Sequence, residues 1–173
     1  MKLNKKYLIL LALSGAIVAL DQAVKMYVHT EFRLGESVMV IPDFFNLTYV
    51  RNPGAAFGFL RDSPETFRTI FFLSVPPAVM MIILAMLYTT PNENKLQTFA
   101  LSCVFGGAIG NYIDRVRFGY VVDFLDFHFK NLYTYPAFNV ADIAIVTGVG
   151  FILLELVQEW RQEMAARKAV AGS

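Results

Sequence analysis

A set of polar side chains stands where a largely apolar sequence accommodates them least: Asp21 and Lys25, Asn111, Asp114 and Arg115, Asp123, and Asn139 with Asp142. Ionisable groups within or beside apolar runs are costly, so each needs a partner or a purpose. Metal-assisted hydrolysis would ask for a histidine cluster. The only histidines are His29 and His128, in separate segments and without an H-E-x-x-H pattern. Serine catalysis would ask for a hydroxyl beside a base. No G-x-S-x-G element occurs, and Ser74 and Ser102 are lone hydroxyls inside apolar runs. The single cysteine, Cys103, lies in apolar surroundings from Leu101 to Gly106 and reads as packing. Carboxylate chemistry remains. Two aspartates held close cannot both ionise, so they share a proton. The ionised one can take a proton from an attacking water while the protonated one polarises a carbonyl oxygen.

The elements that must position these groups are membrane spans. Of the 173 residues, 56% are hydrophobic and 17% charged, too apolar for an ordinary soluble domain. The formal net charge of +1, with Lys and Arg scattered, offers no stripe for nucleic acid. A bilayer core of about 30 Å needs roughly 20 apolar helical residues. Four runs qualify: 7–28, 69–88, 96–113 and 137–159. They imply a mainly α membrane protein with four transmembrane helices in one integral membrane domain, joined on one side by segments 29–66 and 115–136. Pro76 and Pro77 fall mid-way along the second run and predict a kink, since neighbouring helices can satisfy the freed carbonyls.

Segments 1–6, 89–95 and 161–173 hold seven Lys or Arg in 26 residues, whereas 29–66 and 115–137 hold six in 61. The denser set places both termini in the cytoplasm. Rise along each helix then puts the polar groups in one layer near the outer interface. Asp21 lies roughly 20 Å along the first span. Asn111, Asp114 and Arg115 end the third, Asn139 and Asp142 begin the fourth, and Asp123 lies in the connection between those two.

Within 29–66, the β-branched and aromatic runs Ser37–Ile41 and Phe44–Val50 flank Pro42 and Asp43 and predict a small β-rich cradle. Asp62, Ser63 and Pro64 read as a helix start with a Ser cap. Tyr120, Phe124, Phe127, Phe129, Tyr133, Tyr135 and Phe138 interleave aromatic with polar residues, a composition suited to the headgroup level. From Arg161 the chain reads as a charged, fraying helical end. Plainer readings of the polar groups coexist with a catalytic one. Asp21 and Lys25, at i and i+4, can pair, Asp114 and Arg115 can anchor an interface, and Asn139 can cap the fourth helix. Asp142 has no basic residue at i±3 or i±4 and must find its partner elsewhere.

Several motifs, in order along the chain, resemble those of the lipoprotein signal peptidases, signal peptidase II. They are Leu20-Asp21-Gln22 with Lys25; Asn52-Pro53-Gly54-Ala55-Ala56-Phe57; Gly107 to Gly110 followed by Asn111-Tyr112-Ile113-Asp114-Arg115; Val121-Val122-Asp123-Phe124; and Phe138-Asn139-Val140-Ala141-Asp142. The resemblance implies an aspartyl endopeptidase of the bacterial inner membrane that cuts diacylglyceryl-modified prolipoproteins just before the lipidated cysteine. It implies Asp123 and Asp142 as the catalytic dyad, with Asn52, Gly54, Asn111, Arg115 and Asn139 positioning substrate or supporting the dyad. Asp21, Lys25 and Asp114 match as well. No metal or organic cofactor is implied. The partners would be lipid-modified signal peptides and membrane lipid, with no nucleic acid and a monomeric enzyme.

One departure is Ile143, where many relatives carry a hydroxyl residue. Gly106-Gly107-Ala108-Ile109-Gly110 has the look of a phosphate cradle, but inside a span small residues serve close helix approach. The Gly54 to Gly58 stretch reads as a tight turn near the substrate path, with 52–59 expected to close over substrate. A proton or ion carrier is the competing reading, opposed by the gathering of the carboxylates near one surface. A scaffold without chemistry would carry its aspartates at needless cost.

Overall fold

The computed structural model describes residues 4–54, 60, 62–129 and 133–171. Four long helices carry a small sheet at one end: α1 (Lys5–Glu31), α2 (Glu65–Thr89), α3 (Lys95–Phe118) and α4 (Val140–Ala171). Strands β1 (Ser37–Ile41) and β2 (Phe45–Asn52) join α1 to α2, while β3 (Val121–Phe129) and β4 (Tyr133–Thr134) join α3 to α4. Both strand-bearing connections therefore leave the bundle at the same end. They form one antiparallel sheet in the order β1-β2-β3-β4.

Three helices, α1, α2 and α4, are long and apolar enough to cross a membrane. By length and composition these three helices mark a multi-pass membrane protein. The remaining expected span, α3, has the length but carries polar groups at both ends, from Lys95 and Gln97 to Asn111, Asp114, Arg115 and Arg117. It is the central helix, packing on each of the other three. The bundle is inverted relative to a soluble protein. Leu8, Leu11, Leu20, Ile70, Met81, Ile82, Val146 and Leu153 are exposed, whereas Asp21, Lys25, Asn111 and Asp114 are buried. Bilayer lipid, itself apolar, is the solvent that permits this arrangement.

Helix contact without a hydrophobic drive depends on close packing, and glycine supplies it here. A Cβ on Gly107 would collide with the Ala141 carbonyl oxygen and lie 2.7 Å from Ile145 of α4. One on Gly148 would meet Ala100 O at 2.5 Å, and one on Gly106 would meet Ser14 Cα at 2.9 Å. The glycine-rich stretch is thus a packing surface. At the end away from the sheet, the buried Lys6 ammonium donates to the carbonyls of Tyr88 and Thr90, each at 2.8 Å. It pins α1 to the C-terminus of α2, where a cation also suits the helix dipole.

Several boundaries differ from the sequence reading. The two β-rich runs do become β1 and β2, with Asp43 at φ 57° in the turn between them. The aromatic segment after α3 is largely strand, pairing in register with β2. The fourth helix begins at Val140 instead of Ala137, because Phe138 is held in an isolated antiparallel bridge to Leu125. At α2 the cap position belongs to Pro64, in an extended conformation and without a side-chain cap; Ser63 instead offers its carbonyl to Arg68. The helix runs unbroken through Pro76 and Pro77, and α4 stays helical past Arg161 as an exposed extension. The expected tight turn and closing segment at 55–59, including Gly58, lies outside the described residues.

Gly107→Val is expected to force α3 from α4 and cost about 1–3 kcal/mol. Thermal unfolding in detergent should show a clear drop in midpoint. Gly15→Ala, where nothing lies within 4 Å of the added Cβ, should leave the midpoint unchanged or raise it slightly.

Candidate active site

The first turn of α4 is built as a reciprocal cap. Asn139 Oδ1 accepts from the backbone N–H of Asp142 at 2.9 Å, and Asp142 Oδ2 accepts from the N–H of Asn139 at 3.3 Å. This is the capping-box arrangement, with the acidic residue at the third helical position. The capping reading of Asn139 therefore holds, and it leads directly to the site. With its oxygen committed to the cap, the Asn139 amide donates from Nδ2 to Asp123 Oδ1 at 2.7 Å. One asparagine thus bridges the two aspartates, each through a fixed atom.

The remaining oxygens are held from other elements. Asn52, on β2, donates to Asp123 Oδ2 at 3.0 Å, and its own Oδ1 accepts from Gly54 N at 3.0 Å. Asn111, on α3, donates to Asp142 Oδ1 at 2.7 Å. Arg115 reaches Gly54 O at 3.2 Å and Asn111 O at 3.3 Å, and its guanidinium lies 4.5 Å from the Phe72 ring centroid. Register along the sheet sets Asp123 opposite Val50, two residues before Asn52. Every predicted site residue falls within this network or the one beneath it.

The one beneath is ionic. Lys25 Nζ sits 2.8 Å from Asp21 Oδ2, 3.2 Å from Asp114 Oδ2 and 2.8 Å from Asn111 Oδ1. Asp21 Oδ1 accepts from the backbone N–H of Ala141 at 2.8 Å, and Asp114 Oδ2 from that of Val122 at 3.0 Å. The i, i+4 pairing of Asp21 and Lys25 is thus real, but it is one edge of a triad joining α1, α3, β3 and α4. Gln22 completes it, donating to Asp114 Oδ1 at 2.9 Å and Gly110 O at 3.1 Å. Gln22 belongs to the Leu20-Asp21-Gln22 motif but not to the site residues expected from sequence. An amide next to Asp21 within an apolar run was the signal available.

Asp123 is almost fully buried, 1% exposed, and burial pushes its carboxyl up to about 7. The negative charge of Asp142 adds to the rise, while the hydrogen bonds from Asn52 and Asn139 and the charge of Lys25 oppose it. Asp142 is half-buried. Both aspartates face a cleft of about 1140 Å³, also lined by Asn52, Asn111 and Arg115. Towards the helices its walls are apolar, with Val75, Pro76 and Val79 of α2, Val104 and Ala108 of α3, and Ile143 and Val146 of α4. The cleft exists because α2 packs on α3 and barely touches α4. Among the described residues no three His, Cys, Asp or Glu side chains converge as a metal site requires.

Two acids, amide donors and a cation thus surround one cleft at the end of a helical bundle. A family model described as signal peptidase (SPase) II matches residues 13–158. The chain belongs to the signal peptidase II family. It is 43% identical to a lipoprotein signal peptidase of Syntrophus aciditrophicus (strain SB) over 93% of this chain and 99% of that one. It is 50% identical to a lipoprotein signal peptidase of Desulforapulum autotrophicum over 85% of this chain and 91% of that one. Among solved structures, a bacterial membrane enzyme obtained by the in meso method at 2.3 Å resolution superposes with a TM-score of 0.78 at 33% identity. That match covers 87% of this chain and 88% of the other. A second bacterial membrane enzyme, at 1.9 Å, gives 0.74 at 35% identity, covering 85% and 91%. As a signal peptidase II, the protein is a peptidase of the membrane, and its cleft is the place to look for the chemistry.

Two measurements test the electrostatics of this signal peptidase II. Lys25→Met should leave two buried carboxylates without their counter-ion and cost about 3–5 kcal/mol, seen as loss of folded protein in detergent. Asp123 binds its proton more tightly folded, at about 7, than unfolded, at about 3.9. The stability this lends is fully present below the unfolded value and is lost as pH rises to about 7. Asp123→Asn should therefore flatten the fall in unfolding midpoint that the parent protein shows across that window.

Proposed function

We propose that the protein is an intramembrane aspartyl endopeptidase that removes signal peptides from diacylglyceryl-modified prolipoproteins, cutting just before the lipidated cysteine. The observation that carries this reading is the bridge through Asn139, which aims Asp123 and Asp142 at one cleft. The protonated Asp123 polarises the scissile carbonyl, and the ionised Asp142 takes a proton from the attacking water. Oxygen adds to the carbonyl carbon, and the C–N bond then breaks as the departing amine receives a proton. Asn52, Asn111 and Asn139 are positioning residues for the dyad, with Gly54 holding the Asn52 amide. Arg115 supplies positive charge at the cleft wall. The triad of Asp21, Lys25 and Asp114 sets the frame.

In this reading α3 also spans the membrane, making four spans. Its polar outer end is tolerated because its groups are satisfied by α1, β3 and α4 rather than by lipid. Both termini face the cytoplasm and the sheet lies at the outer membrane face, where a lipidated precursor presents its cleavage site. The apolar half of the cleft, open between α2 and α4, suits a signal peptide and its acyl chains. The enzyme works as a monomer and needs no cofactor.

The test is cleavage by the detergent-purified protein of a diacylglyceryl-modified prolipoprotein, beside the same precursor left unlipidated. Only the lipidated form should be cut, and Asp123→Asn or Asp142→Asn should each lower turnover by on the order of a thousandfold while the protein still folds. The wild-type rate should fall on the alkaline side of about 7, as Asp123 gives up its proton. No cleavage by a well-folded sample would remove the reading.

A further inference from the structure

The cleft does not end at the two aspartates. Beyond them its lining changes from apolar helix to the sheet, taking in Asp126, Thr134 and Tyr135. Asp126 belongs to a row of polar side chains that crosses all four strands. Ser37 Oγ lies 2.8 Å from Thr48 Oγ1, and Thr48 Oγ1 donates to Asp126 Oδ2 at 2.8 Å. His128 Nε2 stands 3.0 Å from the same Asp126 oxygen, with Asn46 Nδ2 at 3.2 Å from that nitrogen. His128 Nδ1 is 3.1 Å from Thr134 Oγ1. The other carboxylate oxygen, Asp126 Oδ1, has no hydrogen-bond partner among the described residues, although the side chain is only 14% exposed.

A peptide crossing this cleft has an orientation. An apolar segment belongs between α2 and α4, so with its scissile bond at Asp123 and Asp142 the chain beyond that bond must leave towards the sheet. Asp126 lies three residues along β3 from Asp123, roughly 10 Å at strand spacing. An extended peptide covers that distance in about three residues. We propose that the sheet end of the cleft, with Asp126 presented by His128, Thr48 and Thr134, is the subsite for the second and third residues after the lipidated cysteine. It favours basic or hydrogen-bond-donating side chains there and disfavours acidic ones. The inference rests on the peptidase reading above and adds a specificity determinant to it.

The experiment uses three lipidated precursors that differ only at those two positions, carrying Lys-Lys, Ser-Ser or Asp-Asp. Their kcat/KM values are measured with wild type, Asp126→Asn and Asp126→Lys. Wild type should prefer Lys over Ser over Asp, with extremes roughly tenfold apart. Asp126→Asn should compress the spread and Asp126→Lys invert it. The Ser-Ser precursor reports whether each variant is folded and active. Thr134→Lys adds a second charge at the same end, should Asp126→Lys disturb the sheet through Thr48 and His128, and it should also move the ranking towards acidic residues. An identical ranking in wild type and every active charge variant would overturn the subsite while leaving the peptidase intact. Failure of wild type to cut any of the three would sink the peptidase reading and the subsite with it.

Discussion

A buried ammonium shared between two carboxylates, Lys25 between Asp21 and Asp114, is the constraint on which the rest of the structure depends. Burying three charges is tolerable only if every remaining polar atom is satisfied. Here the partners come from four elements: the Ala141 amide of α4, the Val122 amide of β3, Gln22 of α1 and Asn111 of α3. None can shift without stranding a charge. The triad therefore fixes the depth and rotation of α1 and α3, the start of β3 and the first turn of α4 together. It also fixes an amide. An ammonium only donates, so the Asn111 oxygen must face Lys25, and its NH2 group is left to face Asp142.

Close approach of α3 to its neighbours is the second condition, and it is met by the absence of side chains. A Cβ on Gly110 would lie 2.6 Å from Asp21 Oδ2 and 3.2 Å from Ala141 Cβ. The ion triad and the glycine surface therefore occupy the same crossing, and each needs the other. Without Gly110 the Asp21 carboxylate could not reach the Ala141 amide. Without the triad, nothing in an apolar solvent would favour this crossing over another of similar packing.

Much of this was legible in the chain because a bilayer simplifies the reading. Polar residues in apolar runs are few, and helical rise alone placed Asp21, Asn111, Asp114, Asn139 and Asp142 at one depth, where the structure joins them. The β-branched runs that became β1 and β2 were equally plain. Hidden from the sequence was whatever depends on partners distant along the chain. The start of α4 was misplaced by three residues because Phe138 answers to Leu125 and not to helical periodicity. Ser63 looked like a cap, but Pro64 took that position. The polar row from Ser37 to Thr134 requires the strand register, and no local pattern announces a hydrogen bond between residues 78 apart such as Thr48 and Asp126.

The two aspartates are chemically alike, so any division of labour between them has to come from their surroundings. Asp123 lies on a strand, enclosed by β2 and the turn before α4, where a charge is stripped of water; its carboxyl accordingly holds a proton to about pH 7. Asp142 lies in the first turn of a helix, where the Asn139 N–H and the helix dipole welcome negative charge, and it opens onto the cleft. Under the proposed chemistry this is the order required, with the acid enclosed and the base exposed to water. The asymmetry follows from secondary structure: a strand delivers one carboxyl, a helix N-terminus the other, and Asn139 holds both by spending its oxygen on the helix and its amide on the strand.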